Sequence, residues 1–381
     1  MVNEKSRKSK CVFVGISGGV DSAVAAALLK EGGYDVRGIF LREYDLSLPS
    51  AFGDAIQCTQ EGDRRSALAV AAALDIPFEE WDFRTSYEQE VVKYMVREYK
   101  EGRTPNPDIM CNSVIKFGLF FQRALQEGAD FVATGHYAQI KDGKLTIIKN
   151  NKKTHLAYRQ LMQAHDAQKD QTYFLYTLGQ DQLRRCMFPV GGYEKSEVRV
   201  LAKKYNLPNW NRKDSQGICF IGKLSMKDFL TSAIKPKSGK LIAQDGSVVG
   251  EHDGAWYYTI GQRHGLGFGG GDEPYYVVGK DVKKNIVYVD HQLPASVLYQ
   301  KDLVCGDMHW ISGSQPGLPF RCLARIRYRQ PLQACTVSHM NVRAKNLEFR
   351  VVFDAPQRAI TPGQSVVFYN EKECLGGGVI L

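Results

Sequence analysis

The sequence predicts an α/β protein in three parts: a parallel-sheet domain, a small central domain of mixed structure, and a C-terminal β-barrel. Three observations carry this reading. Residues 11–137 alternate short apolar runs with helical patterns, which implies a parallel sheet with right-handed crossovers. Near residue 217 the pattern becomes shorter and mixed, with a glycine-dense stretch at His264–Gly271. From about Lys301 the chain reads as strands and turns, for which a small barrel is the simplest account. The expected domains are therefore residues 1–216, 217–300 and 301–381.

The expected strands of the first domain are Val12–Ile16, Val36–Leu41, Pro77–Asp82 and Phe131–Thr134. The expected helices are Ser22–Glu31, Asp63–Leu74, Ser86–Glu101 and Ser113–Glu127. A further helix is expected at Ser225–Ile234. The barrel strands are expected at Leu323–Arg329, Ala334–Met340, Leu347–Phe353 and Ser365–Tyr369. Ligands of parallel sheets sit beyond the C-terminal strand ends. Both Ser17–Ser22 and Gly135-His136-Tyr137 follow strands and would face that crevice.

A chain of 381 residues suggests two or three domains. The formal net charge of +9 favours a polyanionic partner. Nine cysteines are scattered without a CxxC pair, which suits a reducing compartment and one or two chemically active thiols. No apolar run approaches the ~20 residues that span a bilayer. The segment Met1–Lys10 is basic and polar, with no apolar core of a secretory signal. The expectation is a cytoplasmic monomer without membrane association. A trimmed organellar leader would leave the same picture.

Residues Cys11–Ser22 read as a buried strand, a glycine-rich turn and a helix start. Such a turn presents free backbone N–H groups and the positive end of a helix dipole, an arrangement that binds phosphate. Gly18 and Gly19 permit close backbone approach to phosphate oxygens, and Ser17 and Ser22 can donate hydroxyls. Asp21 would repel phosphate unless a cation intervened, which suggests Mg²⁺ at Asp21. The lysine of GxxxxGK[ST] is missing, which argues against an ordinary P-loop NTPase. A plain strand-to-helix turn with Ser22 as N-cap is the competing reading. Ser-Gly-Gly-Val-Asp-Ser resembles the PP-loop of ATP pyrophosphatases, which split ATP into AMP and pyrophosphate.

Two cysteines have unusual neighbours. In Thr104–Asn112, two prolines can fix Asp108 and Cys111 in a defined relation. Cys111 is expected just before a helix capped by Asn112 or Ser113, where a thiol becomes a better nucleophile. A buried cysteine in a helix-capping turn is the alternative. In Asp214–Phe220, Gly217 breaks a helical pattern and Cys219 follows in a short apolar run, which alone suits core packing. Together with an adenylating loop, the pair acquires a use. An activated acceptor needs a nucleophile, sulfur carried on one cysteine is such a nucleophile, and a second cysteine can cleave the persulfide.

Ser17–Ser22, Asn106–Asn112, Thr134–Ala138, Lys169-Asp170-Gln171, Asp214–Gly222 and Tyr258–Gly267, taken in order, resemble the tRNA-specific 2-thiouridylase family over nearly the whole chain. The resemblance implies ATP-dependent 2-thiolation of the wobble uridine, position 34, of tRNAs for lysine, glutamate and glutamine. It implies adenylation of the uridine 2-carbonyl oxygen, then sulfur transfer from a persulfide supplied by a donor protein of a sulfur relay. Carried across by motif, Cys219 would carry the persulfide and Cys111 would attack it. Cys111 would thereby release sulfide or close a transient disulfide with Cys219, and Asp108 would serve as general base. ATP would meet Gly15, Ile16, Ser17, Gly18, Gly19, Val20, Asp21, Ser22, Leu41 and Gly135. The tRNA would meet Asn106, Pro107, Asp108, His136, Lys169, Asp170, Gln171, Arg327, Tyr328 and Gln364. The implied cofactors are ATP and Mg²⁺, with no tightly bound organic group.

Arg321, Arg325, Arg327 and Arg329 all occupy odd positions and would share one strand face, suited to phosphate contact, with Tyr328 placed for base stacking. A solvated β-face is the bland alternative. Three competing functions are a small-molecule amidotransferase using ammonia, a non-catalytic RNA-binding protein, and an enzyme in which Asp108, Cys111 and Cys219 ligate an iron–sulfur cluster. The amidotransferase would need neither paired cysteines nor a basic β-domain. The intact loop argues against the RNA-binding protein.

Overall fold

The structure, a computed structural model, describes residues 9–43, 53–149, 152–213, 226–263, 265–266, 274–291, 298–340 and 347–381. Its first sheet is five-stranded and parallel, in the order β3-β2-β1-β4-β7. The strands are β1 (Cys11–Gly15), β2 (Asp35–Arg42), β3 (Phe78–Asp82), β4 (Phe131–Ala133) and β7 (Cys186–Met187). The chain steps outward from β1 to β3 and returns to β4, so the strand order reverses between β1 and β4. That is where ligands of open α/β sheets bind.

The helix α1 (Val20–Glu31) follows β1, and α2 (Gly53–Ala73) joins β2 to β3. Nearly every apolar side chain of α1 is buried, because α8 (Lys195–Lys204) covers its outer face through Val198 and Ala202. A helix so enclosed needs small residues, and the Ala23–Ala27 run supplies them. Between β3 and β4 runs α3 (Arg84–Tyr87), a wide-turned π segment Glu88–Val92, and α4 (Lys93–Lys100). A second helical run follows: α5 (Pro107–Met110), the π segment Cys111–Phe120, and α6 (Phe121–Gln126). Trp81 anchors the space beneath them, fully buried against Phe13, Phe83 and Phe120.

The antiparallel hairpin β5 (Ala138–Lys149) and β6 (Lys152–Gln163) has no counterpart among the sequence expectations. Past it lie α7 (Gln180–Leu183) and α8. In the central part, α9 (Met226–Ala233) packs Phe229 and Leu230 into the core shared with a four-stranded sheet, order β10-β11-β8-β9. Its strands are β8 (Gly239–Ala243), β9 (Val248–His252), β10 (Tyr276–Asp281) and β11 (Ile286–Asp290).

The last part is a closed six-stranded barrel, β12-β15-β14-β13-β16-β17, sealed by pairing of β12 with β17. The strands are β12 (Tyr299–Trp310), β13 (Phe320–Arg325), β14 (Gln333–His339), β15 (Phe349–Arg358), β16 (Ser365–Asn370) and β17 (Glu373–Ile380). Closure removes exposed sheet edges. Alternate residues point inward, so Phe349, Val351 and Phe353 of β15 meet Cys335 and Val337 of β14 in the core. The hairpin β5–β6 extends this sheet through β6 and the start of β17, tying the barrel to the first domain.

Two expectations need correction. Helix α1 starts at Val20, not Ser22; Gly19 is its N-cap and contributes no side chain. The arginine row is not a row, because β13 ends at Arg325 and the chain turns there. Arg321 is exposed and doubly hydrogen-bonded to Asp354, while Arg325 is buried against Asp170 and the Tyr369 ring. Arg327 donates to the backbone carbonyls of Arg358 and Ala359, and Arg329 has a positive φ. No helix among the described residues is long and apolar enough to cross a membrane.

Candidate active site

The candidate phosphate cradle is built by backbone rather than side chains. Gly18 has φ +80, open to glycine, and a Cβ there would lie 2.3 Å from the Asp63 carbonyl oxygen. The Gly18 carbonyl accepts from Ser66 Oγ at 2.8 Å, Asn209 Nδ2 at 2.9 Å and Arg212 Nη1 at 3.2 Å. Three donors thus hold that carbonyl. Arg212 also pairs with Asp63, closing the clamp.

Within the turn, Ser22 Oγ lies 3.2 Å from Ser17 Oγ, accepts from Ser17 N and donates to the Gly19 carbonyl. Ser22 is buried in the first turn of α1 and acts as an internal brace, not as the cap. With no side-chain cap at Gly19, the first-turn N–H groups and the helix dipole are left for an anion. Ile16 and Val20 are buried, so their side chains serve the core. Gly135 follows β4 against the helix start, where a Cβ would sit 2.5 Å from Ser22 N. Leu41 flanks Gly15 from β2, its Cδ1 3.7 Å from a Cβ built there.

Asp21 has a cation at its side, and it is a lysine. Lys195 Nζ lies 2.6 Å from Asp21 Oδ1, and Tyr137 OH donates to the same oxygen at 2.9 Å. Asp21 Oδ2 makes no hydrogen bond among the described residues. Lys195 is the first residue of α8, and its backbone N–H is fixed by Asp166 Oδ2 at 3.1 Å. Sequence reasoning missed this lysine, which lies far down the chain from the glycine turn.

The Cys111 segment differs from expectation. Pro107 opens α5 and Asn106 caps it, accepting from Asp108 N at 3.2 Å and Ile109 N at 3.3 Å. Proline at the first helical position and asparagine before it are the favoured pair. Cys111 therefore lies inside the helical run and not ahead of it, and is buried. Asp108 precedes it by three residues on the same helical face. The π segment lies beneath the crevice, with Phe120 3.5 Å from a Cβ built on Gly15.

Across from Cys111 stands Glu43, immediately after β2, which sequence reasoning also missed. The thiol donates to Glu43 Oε1 at 3.7 Å. Burial raises the Glu43 carboxyl above its ordinary range, with Lys116 opposing and Asp108 adding to the rise. Lys116 also faces His136, whose imidazole is pushed well below its usual value by burial and then by that charge. His136 is accordingly neutral near pH 7, paired through Nδ1 with Thr134 Oγ1 at 2.8 Å and set between Phe117 and Phe188.

The remaining candidates serve the frame around this crevice. Asp170 is buried and receives Ala164 N, Thr172 N, Thr172 Oγ1 and Gln163 Nε2, with Arg325 at 3.4 Å. Its carboxylate organises the loop that carries Lys169 and Gln171 instead of facing solvent. Gln171 Oε1 accepts from Tyr137 N at 2.8 Å. Tyr328 packs its ring 4.6 Å from that of Phe174. Gln364, from the barrel, donates to the Thr104 carbonyl at 2.8 Å, and Thr104 N donates to the Pro362 carbonyl. Thr104 Oγ1 also lies 3.4 Å from Thr259 Oγ1 of the central part. The loop before Asn106 is thus held by both other domains.

Cys219 and its segment lie outside the described residues, as does most of the glycine-dense stretch. Cys11, Cys186, Cys305, Cys322, Cys335 and Cys374 are free thiols. Among the described residues, no three His, Cys, Asp or Glu side chains gather as a metal site.

Comparison with known proteins agrees with this architecture. Residues 10–223 match the family model described as tRNA methyl transferase HUP domain. Residues 227–291 match the tRNA methyl transferase PRC-barrel domain, and residues 300–380 the aminomethyltransferase beta-barrel domain. The chain is 47% identical to the tRNA-specific 2-thiouridylase MnmA 2 of Geobacillus kaustophilus over 371 residues, covering 97% of this chain and 94% of that protein. It is 45% identical to the tRNA-specific 2-thiouridylase MnmA of Francisella philomiragia over 97% of this chain and 99% of the relative. The namesake enzyme of Pediococcus pentosaceus is 45% identical over 99% and 96%.

Proposed function

Because the chain belongs to the tRNA-specific 2-thiouridylase family, we propose that it replaces the 2-oxygen of the tRNA wobble uridine by sulfur at the expense of ATP. Support comes first from one juxtaposition. The glycine cradle after β1, Glu43 after β2 and His136 after β4 surround the helical run that carries Cys111. A phosphate site and a buried thiol therefore share the C-terminal rim of one parallel sheet.

ATP enters as a substrate with Mg²⁺. The first-turn N–H groups of α1 receive phosphate oxygens, and Lys195 offers positive charge beside Asp21. Asp21 Oδ2 is the oxygen through which the protein would hold Mg²⁺ or one of its waters, and the ion would supply positive charge to the phosphates. The uridine 2-carbonyl oxygen attacks the α-phosphorus and pyrophosphate leaves. Adenylation turns a poor leaving oxygen into AMP.

Sulfur arrives as a persulfide on Cys219, loaded by a donor protein. Cys111 opens that persulfide, and the released hydrosulfide displaces AMP from the uridine carbon. Neutral His136 and the loop Asn106–Asp108 suit contact with a base rather than with a phosphate. Basic surface beyond the rim, including Lys169 and Arg327, suits the tRNA backbone. The free thiols at Cys11, Cys186, Cys305, Cys322, Cys335 and Cys374 suit a reducing, cytoplasmic setting.

The test is tRNA-dependent release of pyrophosphate. With ATP, Mg²⁺ and unmodified tRNA for glutamate, the enzyme is expected to release pyrophosphate and form adenylated tRNA only when the wobble uridine is present. Pyrophosphate release that requires ammonia and ignores tRNA would replace this reading with an amidotransferase.

A further inference from the structure

The thiol that opens the persulfide needs somewhere to put its proton. Cys111 is only 3% exposed, so bulk water is a poor acceptor. The described acceptor is Glu43 Oε1, 3.7 Å from Sγ. Glu43 is held by the end of β2, whose Leu41 and Arg42 pair in register with Trp81 and Asp82 of β3. Its carboxylate therefore approaches Cys111 from a strand, independently of the helix that carries the thiol.

We propose that Glu43 is the general base for Cys111, taking the thiol proton as Cys111 attacks the persulfide. This rests on the reading of Cys111 given above. In the step, the Cys111 S–H bond breaks and the proton goes to Glu43 Oε1. The sulfur electron pair forms a bond to the inner sulfur of Cys219–S–SH. The bond between the two persulfide sulfurs breaks, and the outer sulfur leaves with its electron pair and its own proton as hydrosulfide. The product is a Cys111–Cys219 disulfide, which an external dithiol must reduce before the next cycle.

The surroundings suit the task. An efficient base has a pKa closer to working pH than that of an ordinary carboxylate. Burial moves Glu43 in that direction, the Lys116 ammonium and the Cys111 hydrogen bond limit it, and the Asp108 carboxylate adds to it. Among the described residues, Cys111, Asp108 and Lys116 face Glu43. Asp108, which the motif alone marks as the base, acts in this arrangement as a neighbouring charge that tunes Glu43. Once protonated, Glu43 can also donate a hydrogen bond to developing negative charge in the same pocket.

The experiment compares wild type, Glu43→Gln, Glu43→Asp and Asp108→Asn, each first loaded with persulfide on Cys219. Hydrosulfide release in a single turnover is followed from about pH 5 to 9, with persulfide loading and tRNA-dependent pyrophosphate release measured alongside. Glu43→Gln is expected to slow hydrosulfide release about 100-fold near pH 7 and to abolish the acidic limb of the profile, while loading and pyrophosphate release persist. Glu43→Asp, one methylene shorter, keeps the limb at an intermediate rate, and Asp108→Asn keeps it with a shifted midpoint. A wild-type rate and limb in Glu43→Gln, or a limb lost only in Asp108→Asn, overturns the assignment. A wild-type enzyme that loads persulfide and releases pyrophosphate but no hydrosulfide would instead overturn the role of Cys111.

Discussion

Lys195 Nζ lies 2.6 Å from Asp21 Oδ1, although 174 residues separate the two in the chain. The glycine turn lacks a lysine of its own, and its aspartate suggests a metal ion. The fold answers the first point by delivering an ammonium from the first turn of α8. The side chain is largely enclosed, at 15% exposure, and lies 5.9 Å from the Tyr137 ring centre. A phosphate in the cradle would therefore meet the turn's N–H groups and this ammonium together.

Lys195→Ala should lower kcat/KM for ATP in tRNA-dependent pyrophosphate release. A hydrogen bond to a charged group contributes about 1.5–3 kcal/mol, so the loss should be roughly 10- to 100-fold. Lys195→Arg should recover only part of it, because a planar guanidinium cannot reproduce a compact ammonium at 2.6 Å. Unchanged ATP kinetics in Lys195→Ala would reduce the lysine to a structural partner of Asp21.

Gly18→Ala should abolish ATP binding and lower the melting temperature. The new Cβ meets the Asp63 carbonyl oxygen at 2.3 Å, and the positive φ adds strain of about 1–3 kcal/mol. Isothermal titration with ATP and a thermal melt report the two effects. The control is Gly128→Ala, which shares a positive φ but has no neighbour within 4 Å and lies away from the cradle. It should melt slightly lower yet bind ATP normally.

How far the site was legible follows from where its residues sit in the chain. The strand, glycine turn and helix at Cys11–Glu31 are local, and glycine and serine announce them. The helix start at Pro107 was also legible, since Asn106-Pro107 is a favoured cap pair, but the expectation of a cap beyond Cys111 placed the thiol outside its helix. Lys195 and Glu43 carried no signal, because only the crossover connections bring α8 over α1 and the end of β2 over Cys111. The arginine row failed for another reason. Alternation predicts a shared face only while a strand continues, and β13 stops at Arg325, where the buried Asp170 carboxylate takes the charge. The hairpin β5–β6 was missed because its lysines, threonines and glutamines carry no apolar alternation. It pairs instead with the barrel through Leu161 and Met162.

The Asp170–Arg325 pair gives a stability prediction. Both side chains are buried, at 1% and 7% exposure, and join the loop of the first domain to the barrel. Arg325→Ala leaves the aspartate uncompensated and should cost about 3–5 kcal/mol. Denaturant unfolding of the two variants separates the charges. Arg325→Ala with Asp170→Asn should recover part of the loss, and equal stability of wild type and Arg325→Ala would show that the pair contributes nothing.

Glu43 makes stability depend on pH with a definite sign. Its folded-state pKa is raised, so the folded chain keeps this proton to higher pH than the unfolded chain. Above the ordinary carboxyl range the unfolded state binds fewer protons, and stability falls as pH rises through the folded pKa. Glu43→Gln removes that term. Its melting temperature relative to wild type should therefore climb as pH is raised from about 4.5 to 7. A constant difference across that window would mean that the fold does not raise the Glu43 carboxyl above its ordinary range.

The central claim is that one rim activates the uridine and delivers the sulfur, with different residues for each half. Mass spectrometry of nucleosides from tRNA treated with ATP, Mg²⁺ and a persulfide donor tests it most directly. Wild type should yield 2-thiouridine with AMP formed in proportion. Cys219→Ser should yield pyrophosphate and adenylated tRNA but no 2-thiouridine. Thiolation at the wild-type level by Cys219→Ser, or wild-type ATP cleavage that leaves the uridine unchanged in the presence of the donor, would contradict the account.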